Sequence, residues 1–114
     1  MAYTAYFDAS IGTKVRLSGL IECRNEIILS FCVDFKDVKS IKLAEHMALK
    51  HLLERMKDKN IKGVSIFGDA KDVIREINKI SSKRYKTVRR LLTETESVVT
   101  YIPRKQNKAD KLFR

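Results

Sequence analysis

The chain has 114 residues, 44% of them hydrophobic, with one Pro and four Gly. This composition excludes disordered and fibrous proteins and predicts one compact domain over residues 1–114. The formal net charge is +10, from 24 Lys and Arg against 14 Asp and Glu. A small domain this basic is typical of proteins that bind a polyanion, most often nucleic acid.

No apolar run approaches the length of a membrane span, and the first residues lack the charged-then-apolar pattern of a signal peptide. We therefore expect a cytoplasmic protein without a membrane partner, and a monomer as the favoured state. The two histidines, His46 and His51, are five residues apart, which places them on different faces of a helix. No zinc site is predicted from this spacing.

Two cysteines, Cys23 and Cys32, flank a predicted two-residue turn at positions 24–25. With that turn, Cys23 would lie opposite Glu26 and Cys32 opposite Leu17 in a hairpin, so the two sulfurs would not meet. We expect both thiols to stay reduced, as is usual in the cytoplasm.

Five segments rich in β-branched, aliphatic and aromatic residues are predicted as strands: Tyr3–Asp8, Val15–Cys23, Glu26–Phe35, Gly63–Phe67 and Val98–Ile102. Four segments are predicted as helices: Lys39 to about Lys57 with Ser40 as N-cap, Ala70–Ile80, about Lys83 to Glu96 after a break at Ser81 and Ser82, and Asn107–Arg114. The order predicts an α/β fold. Its mixed five-stranded sheet combines a three-strand antiparallel meander with two parallel strands, and right-handed crossovers place helices on both faces.

An aspartate, Asp8, ends the first predicted strand after Tyr6 and Phe7. In one interpretation it only opens a turn. In the other it belongs to a site, because ligand chemistry in such sheets gathers outside the carboxyl ends of the parallel strands. Three further acids bear on this choice.

Glu45 shares an apolar helix face with Ile41, Leu49, Leu52 and Met56. An unpaired charge on that face costs on the order of several kcal/mol unless a partner or a metal compensates it. The alternative places Glu45 at the edge of the face, with its carboxylate in solvent.

Two aspartates stand near predicted helix starts: Asp69 follows Gly68 and precedes the second helix, and Asp110 lies three residues behind Asn107. Each taken alone suits a cap or the helix dipole. Together with Asp8 and Glu45, they form four acids that the predicted sheet brings to one edge. Converging carboxylates repel one another, and a hard cation with oxygen ligands relieves that repulsion.

Four segments, "YFDAS", "LAEHMALKHLLE", "IFGDAKDVI" and "IPRKQNKADKL", resemble the four motifs of the type 1 ribonuclease H family, in the family's order and on its elements. The resemblance covers nearly the whole chain, and the ordered set is more specific than any single motif. It implies that Asp8, Glu45, Asp69 and Asp110 are the catalytic, metal-binding carboxylates, holding two Mg²⁺ ions or Mn²⁺ in their place. It also implies hydrolysis of the RNA strand of an RNA–DNA hybrid, leaving 5′-phosphate and 3′-hydroxyl ends.

The loop before the last aspartate departs from the family pattern. Many members carry a mobile histidine there, whereas this chain has Arg104 and no histidine between Pro103 and Lys108. An arginine does not act as a base, so we expect Arg104 to contact phosphate and turnover to be slower.

The segments that would contact substrate also depart from the family. An asparagine-rich loop that helps some members to read 2′-hydroxyls is replaced by Lys39–Lys42, which puts the selectivity for RNA in question. The basic protrusion of some members is missing. A basic face of the third helix, formed by Lys83, Lys86 and Arg90, partly replaces it. Ser10 and Lys71 lie beside the predicted metals. Together with Arg104, these are the residues expected to contact nucleic acid. A solvated helix face is the alternative for the three helical cations.

Three functions remain in view from the sequence. The first is a ribonuclease H that cleaves the RNA strand of hybrids by a two-metal mechanism. The second keeps the fold and the metals but acts on double-stranded RNA or branched DNA. The third is a basic nucleic-acid-binding module whose acids are caps and surface charge, although such a module has no need of Glu45 on an apolar face.

Overall fold

The computed structural model describes residues 2–36, 38–79 and 82–113. Its strands are β1 (Tyr3–Ile11), β2 (Val15–Cys23), β3 (Glu26–Phe35), β4 (Val64–Gly68) and β5 (Val98–Tyr101). Its α-helices are α1 (Ile41–Asp58), α2 (Lys71–Ile77) and α3 (Lys86–Glu94), followed by a short 3₁₀ helix (Arg104–Gln106) and the C-terminal 3₁₀ helix (Lys108–Phe113). None of the helices described is long and apolar enough to cross a membrane.

The five strands form one mixed sheet in the order β3-β2-β1-β4-β5. β1 pairs antiparallel with β2 and parallel with β4, and β5 continues the parallel half beside β4. The predicted combination of an antiparallel meander and two parallel strands is confirmed. β1 therefore lies at the centre of the sheet, bonded on both sides.

The turn between β2 and β3 has the predicted position. Arg24 and Asn25 adopt φ angles of 53° and 65°, the left-handed values that a type I′ hairpin turn requires. A register shift between Ile21 and Glu22 then moves the pairing by one residue, so Cys32 lies opposite Ser18. The predicted pairing of Cys32 with Leu17 was wrong because a bulge cannot be read from the turn alone. No disulfide joins Cys23 and Cys32.

One face of the sheet packs against α1, and α3 packs against α1 in turn. Ala5 and Phe7 of β1 and Leu52 of α1 are fully buried in the same core. The Phe7 ring packs against Gly68, the last residue of β4. A Cβ built on Gly68 would come within 2.5 Å of that ring, so only glycine leaves room for it. The core thus fixes the strand that carries Asp8 from the helix side.

The opposite face carries the C-terminal 3₁₀ helix. The Ser18 hydroxyl of β2 donates to the carbonyl of Ala109 at 3.0 Å, and the Lys108 ammonium bonds the Glu22 carboxylate at 2.9 Å. Helical structure on both faces was therefore predicted correctly, but the last segment is a 3₁₀ helix. Its predicted final residue, Arg114, lies outside the described residues.

The second and third helices are shorter than predicted. α2 ends at Ile77, where Asn78 caps it and donates its side-chain amide to the carbonyl of Val99 at 3.1 Å. α3 begins only at Lys86, because Tyr85 adopts a left-handed φ of 60° that interrupts a helix. The predicted break at Ser81 falls on a residue that is not described. Lys83 consequently lies before α3 and not on it.

Candidate metal centre

Three carboxylates from three different elements meet at one edge of the sheet. Asp8 on β1, Glu45 on α1 and Asp69 directly after β4 each offer an oxygen, and these oxygens all lie within 4.8 Å of one another. The sequence predicted this convergence from the neighbouring strands β1 and β4. The prediction that Asp8 ends the first strand was wrong, because β1 stays paired with β2 as far as Ile11 and Asp8 lies within it.

Asp8 is held by the central strand. Its side chain is 4% exposed, and its Oδ1 accepts a hydrogen bond from the backbone N–H of Ala9 at 2.9 Å. β1 pairs with β2 through Asp8, which lies opposite Ser18, whereas its pairing with β4 ends at Tyr6, so a backbone ladder on one side sets the position of the carboxylate.

Glu45 lies one turn into α1 and is 5% exposed. Ser40 caps the helix as predicted, its hydroxyl accepting from the N–H of Leu43 at 3.0 Å. The core-facing position of Glu45 is confirmed, and the alternative of a solvated head is excluded. Ile41 does not share that face as expected: it is 48% exposed and forms part of the wall beside the acids. It stands at the first position of the helix, before the sheet covers that side.

Asp69 does not cap α2. The N-cap residue is Ala70, which makes no side-chain cap bond. Instead, Oδ2 of Asp69 accepts a hydrogen bond from the Asn107 side-chain amide at 3.1 Å. The capping interpretation of this aspartate was therefore wrong.

Asp110 lines the same cleft as the three clustered acids. It is carried by the C-terminal 3₁₀ helix, and its Oδ1 lies 3.7 Å from the guanidinium of Arg104. The cleft has a volume of about 530 Å³ and includes Ser10 and Ile11 on its walls. The four acids that the motifs singled out thus border one open space.

The carboxylates perturb one another. Burial, followed by the negative charges of Asp8 and Asp69, raises the pKa of Glu45 to about 9. Burial, followed by the charge of Asp69, raises the pKa of Asp8 to about 6. Both pKa values are raised because the charged form is disfavoured, as is expected where buried carboxylates lie close together.

The donor set fits a hard divalent cation. Among the described residues, Oε2 of Glu45 is one of the few buried side-chain atoms with no hydrogen-bond partner. Buried carboxylate oxygens normally find a donor, and a cation would satisfy this one. All the converging ligands are carboxylate oxygens. Mg²⁺ and Mn²⁺ prefer oxygen ligands, whereas softer ions prefer sulfur or nitrogen. The cluster is therefore compatible with divalent metal binding.

Besides Arg104, two more of the residues expected to contact nucleic acid lie beside the acids. Ser10 lines the cleft itself. Lys71 opens α2 and borders an adjoining pocket together with Glu45 and Asp69, and its ammonium lies 5.7 Å from the centre of the Tyr101 ring.

The expected basic face of the third helix is only partly present. Lys86 and Arg90 are exposed and one turn apart on α3, and Arg90 lies 3.6 Å from Glu94. Lys83 is exposed but precedes the helix, because Tyr85 interrupts it. The prediction of three cations on one helical face was therefore wrong for Lys83.

Sequence reasoning missed two side chains that organise this region. Asn107 was interpreted only as the start of a helix, yet it bonds Asp69. Arg89 was not singled out at all. Its guanidinium donates to the carbonyls of Glu76 and Ile77 at the end of α2 and to those of Lys79, Ser82 and Arg84 before α3. No periodicity signals such bonds, since they depend on where an irregular segment turns.

The fold has close relatives among solved structures. Ribonuclease H1 (RNase H1) from the halophilic archaeon Halobacterium salinarum aligns with a TM-score of 0.80 at 22% identity, covering 98% of this chain and 94% of that one. LC11-RNase H1, a protein isolated from compost, aligns in its complex with an RNA/DNA hybrid with a TM-score of 0.73 at 17% identity, covering 96% and 92%. The N-terminal RNase H domain of a Mycobacterium tuberculosis protein aligns with a TM-score of 0.77 at 14% identity, covering 97% and 91%.

These similarities show that the chain has the ribonuclease H fold. They confirm the fold that the resemblance of the four motifs implied. The sequence model of the reverse transcriptase-like family matches residues 13–112. The chain therefore belongs to the reverse transcriptase-like family. It has no significant match among curated proteins.

Proposed function

We propose that this protein is a metal-dependent endonuclease that hydrolyses the RNA strand of RNA–DNA hybrids with two Mg²⁺ ions, Mn²⁺ being the alternative metal. The observation that carries the proposal is the convergence of Asp8, Glu45 and Asp69 within 4.8 Å, with Asp110 on the same cleft. The ribonuclease H fold and the net charge of +10 support it. A nucleic-acid-binding module without activity would have no use for a buried carboxylate such as Glu45.

The four acids would hold the cations in this proposal. When bound, divalent ions at such a site activate a water for attack on phosphorus and stabilise the charge that develops on the leaving oxygen. The contribution of the chain is to supply oxygen ligands on rigid elements: a central strand for Asp8, a helix packed on that strand for Glu45, and the end of β4 for Asp69. Rigid placement of this kind lowers the cost of organising the reacting groups.

The cationic side chains around the cleft would bind the phosphates of the duplex. Arg104 is exposed beside Asp110, and Lys71 is exposed beside Asp69. They would orient the substrate backbone, while Ser10 offers a hydroxyl on the cleft wall for a phosphate or sugar contact.

A direct assay tests the proposal. The protein is incubated with Mg²⁺ or Mn²⁺ and end-labelled RNA–DNA hybrid, double-stranded RNA or branched DNA, beside an Asp8→Asn variant. We expect cleavage of the RNA strand of the hybrid, lost in the variant. Binding of all three substrates without cleavage of any would reject the enzymatic proposal.

A second candidate substrate is double-stranded RNA. The wall of the cleft near the start of α1 is formed by the side chains of Ile11 and Ile41, both exposed and apolar. Apolar side chains contact a minor groove by shape and do not hydrogen-bond a 2′-hydroxyl. Weak discrimination between a hybrid and an RNA duplex would follow, and the same assay measures it.

A further inference from the structure

The side chain of Asn107 is 3% exposed and uses its whole amide for internal hydrogen bonds. Its Nδ2 donates to the carbonyl of Phe7 at 2.9 Å and to Oδ2 of Asp69 at 3.1 Å. Its Oδ1 accepts from the backbone N–H of Ala109 at 3.1 Å. An amide group has two donor hydrogens and one acceptor oxygen, and here each has a partner.

These three partners are distributed in a specific way. The Phe7 carbonyl belongs to the peptide that joins Phe7 to Asp8. The Ala109 N–H belongs to the residue directly before Asp110. The third partner is the Asp69 carboxylate itself. One side chain therefore reaches the chain immediately before two of the four acids, Asp8 and Asp110, and bonds a third, Asp69; its bonds to Phe7 and Asp69 span 100 and 38 residues.

We propose that Asn107 is a positioning residue that holds Asp8, Asp69 and Asp110 in register with one another for metal binding. The inference rests on the proposed metal-dependent function. A neutral amide suits the task, because it donates to one oxygen of Asp69 without neutralising the negative charge that a cation needs. Lysine or arginine at this position would compete with the metal for the same charge. Oδ1 of Asp69 stays available as a ligand, since the amide bond is to Oδ2.

The C-terminal 3₁₀ helix has a second attachment that does not involve the acids. The hydroxyl of Ser18, which is fully buried, donates to the carbonyl of Ala109 at 3.0 Å. Ser18 lies opposite Asp8 in the β1–β2 ladder, but its hydroxyl bonds the Ala109 carbonyl, so Ser18→Ala weakens the docking of this helix and leaves the bonds from Asn107 to Phe7 and Asp69 in place. It separates an effect of Asn107 on the acids from a general effect on the helix.

The test compares Asn107→Ser, Asn107→Ala and Ser18→Ala. Serine is as good a cap as asparagine, so Asn107→Ser keeps the bond to Ala109 and the fold, while it is too short to reach Phe7 and Asp69. Mn²⁺ affinity is measured by calorimetry, and the rise in melting temperature with Mn²⁺ gives a second readout. We expect a loss of about 10–100-fold in affinity for both Asn107 variants, the usual effect of removing a bond that orients a ligand, and less than about 2-fold for Ser18→Ala.

Each other outcome has a defined meaning. Wild-type affinity in Asn107→Ser overturns the positioning role and leaves the proposed function intact. An equal loss in Ser18→Ala and Asn107→Ser also overturns it, because the effect would then come from helix docking. Failure of the wild-type protein to bind Mn²⁺ at all, with no difference from Asp8→Asn, rejects the proposed function together with this inference.

Discussion

The carboxylates of Asp8 and Glu45 face each other inside the protein: both side chains are buried, and they offer oxygens within 4.8 Å. One is carried by the central strand and the other by the helix packed across it. Burial raises the pKa of both groups, and negative charge adds to the rise: that of Asp69 at Asp8, and those of Asp8 and Asp69 at Glu45. Without a cation, the fold therefore contains a local electrostatic penalty.

Replacing Glu45 with Gln should stabilise the metal-free protein at alkaline pH. The folded-state pKa of Glu45, about 9, lies above its ordinary value of 4.5. The stability that this group contributes is complete below about pH 4.5 and is lost as the pH rises through 9. In EDTA at pH 9 we expect Glu45→Gln to melt about 4 °C or more above wild type, equivalent to about 1 kcal/mol.

The comparison has two internal controls. The advantage of Glu45→Gln should shrink towards pH 5, where the wild-type carboxyl is protonated. Glu54→Gln, on the same helix but exposed, should not change the melting temperature at either pH. A lower melting temperature for Glu45→Gln than for wild type at pH 9 in EDTA would show that the charged Glu45 carboxylate does not destabilise the metal-free protein.

Metal binding should release protons and strengthen with pH. A cation displaces the protons held by Glu45 at neutral pH and by part of Asp8 near pH 6, so the apparent affinity should rise as the pH increases from 6 to 9. Calorimetry at pH 7 in buffers of different ionisation enthalpy measures the number of protons released. Binding heats that do not depend on the buffer would show that no such protons are displaced.

Gly68→Ala should destabilise the protein and disturb the site. The added Cβ would lie 2.5 Å from the Phe7 ring, and that ring is fully buried beside the strand that carries Asp8. Overpacking of this kind typically costs about 1–3 kcal/mol. Gly12→Ala is the matched control, since a Cβ there meets nothing within 4 Å. Urea unfolding of the two variants decides the matter: equal stability would refute the packing argument.

Arg89→Ala should lower the free energy of unfolding by about 2 kcal/mol, because several backbone carbonyls at the end of α2 and between α2 and α3 would lose their donor. Arg90→Ala, one residue further on, removes only an exposed ion pair with Glu94 and should leave the melting temperature unchanged. Thermal unfolding of both variants measures the contrast. If Arg90→Ala proved the more harmful of the two, the assigned role of Arg89 would be wrong.

Arg104→Ala should weaken binding of duplex substrates and reduce their salt dependence. If Arg104 contacts one phosphate, the slope of log affinity against log salt should decrease in magnitude by about 1. The neighbouring Lys105, exposed but absent from the cleft wall, provides the control, and its replacement with Ala should leave the slope unchanged. The measurement uses the Asp8→Asn background, so that substrate stays intact during titration.

Much of the fold was predictable because it depends on local signals. The strand composition, the change to helical periodicity at the first helix and the turn residues Arg24 and Asn25 each act over a few neighbours. The burial of Glu45 was predictable for the same reason, since its spacing from Leu49 and Leu52 places it on a core-facing stripe. These features specify which elements form and which side chains face inward.

The remaining features depend on long-range contacts. The bulge that moves Cys32 opposite Ser18, the left-handed Tyr85 that delays α3 and the bond from Asn107 to Asp69 all require knowledge of how distant segments meet. The short range of sequence patterns explains why Asp69 was open to a capping interpretation. Its actual partner lies 38 residues away.

The central position of β1 also bears on how the site responds to partial unfolding. Local opening of a protein starts at the elements with the fewest backbone bonds. Fraying of either edge strand, β3 or β5, leaves Asp8 paired with Ser18 of β2. Asp110, by contrast, depends on a short 3₁₀ helix attached through side chains such as Ser18 and Asn107. In hydrogen exchange, the amides around Asp8 should be among the last to exchange and those around Asp110 among the first of the site. Asp8 is therefore held firmly during local opening, whereas Asp110 detaches from the site more readily.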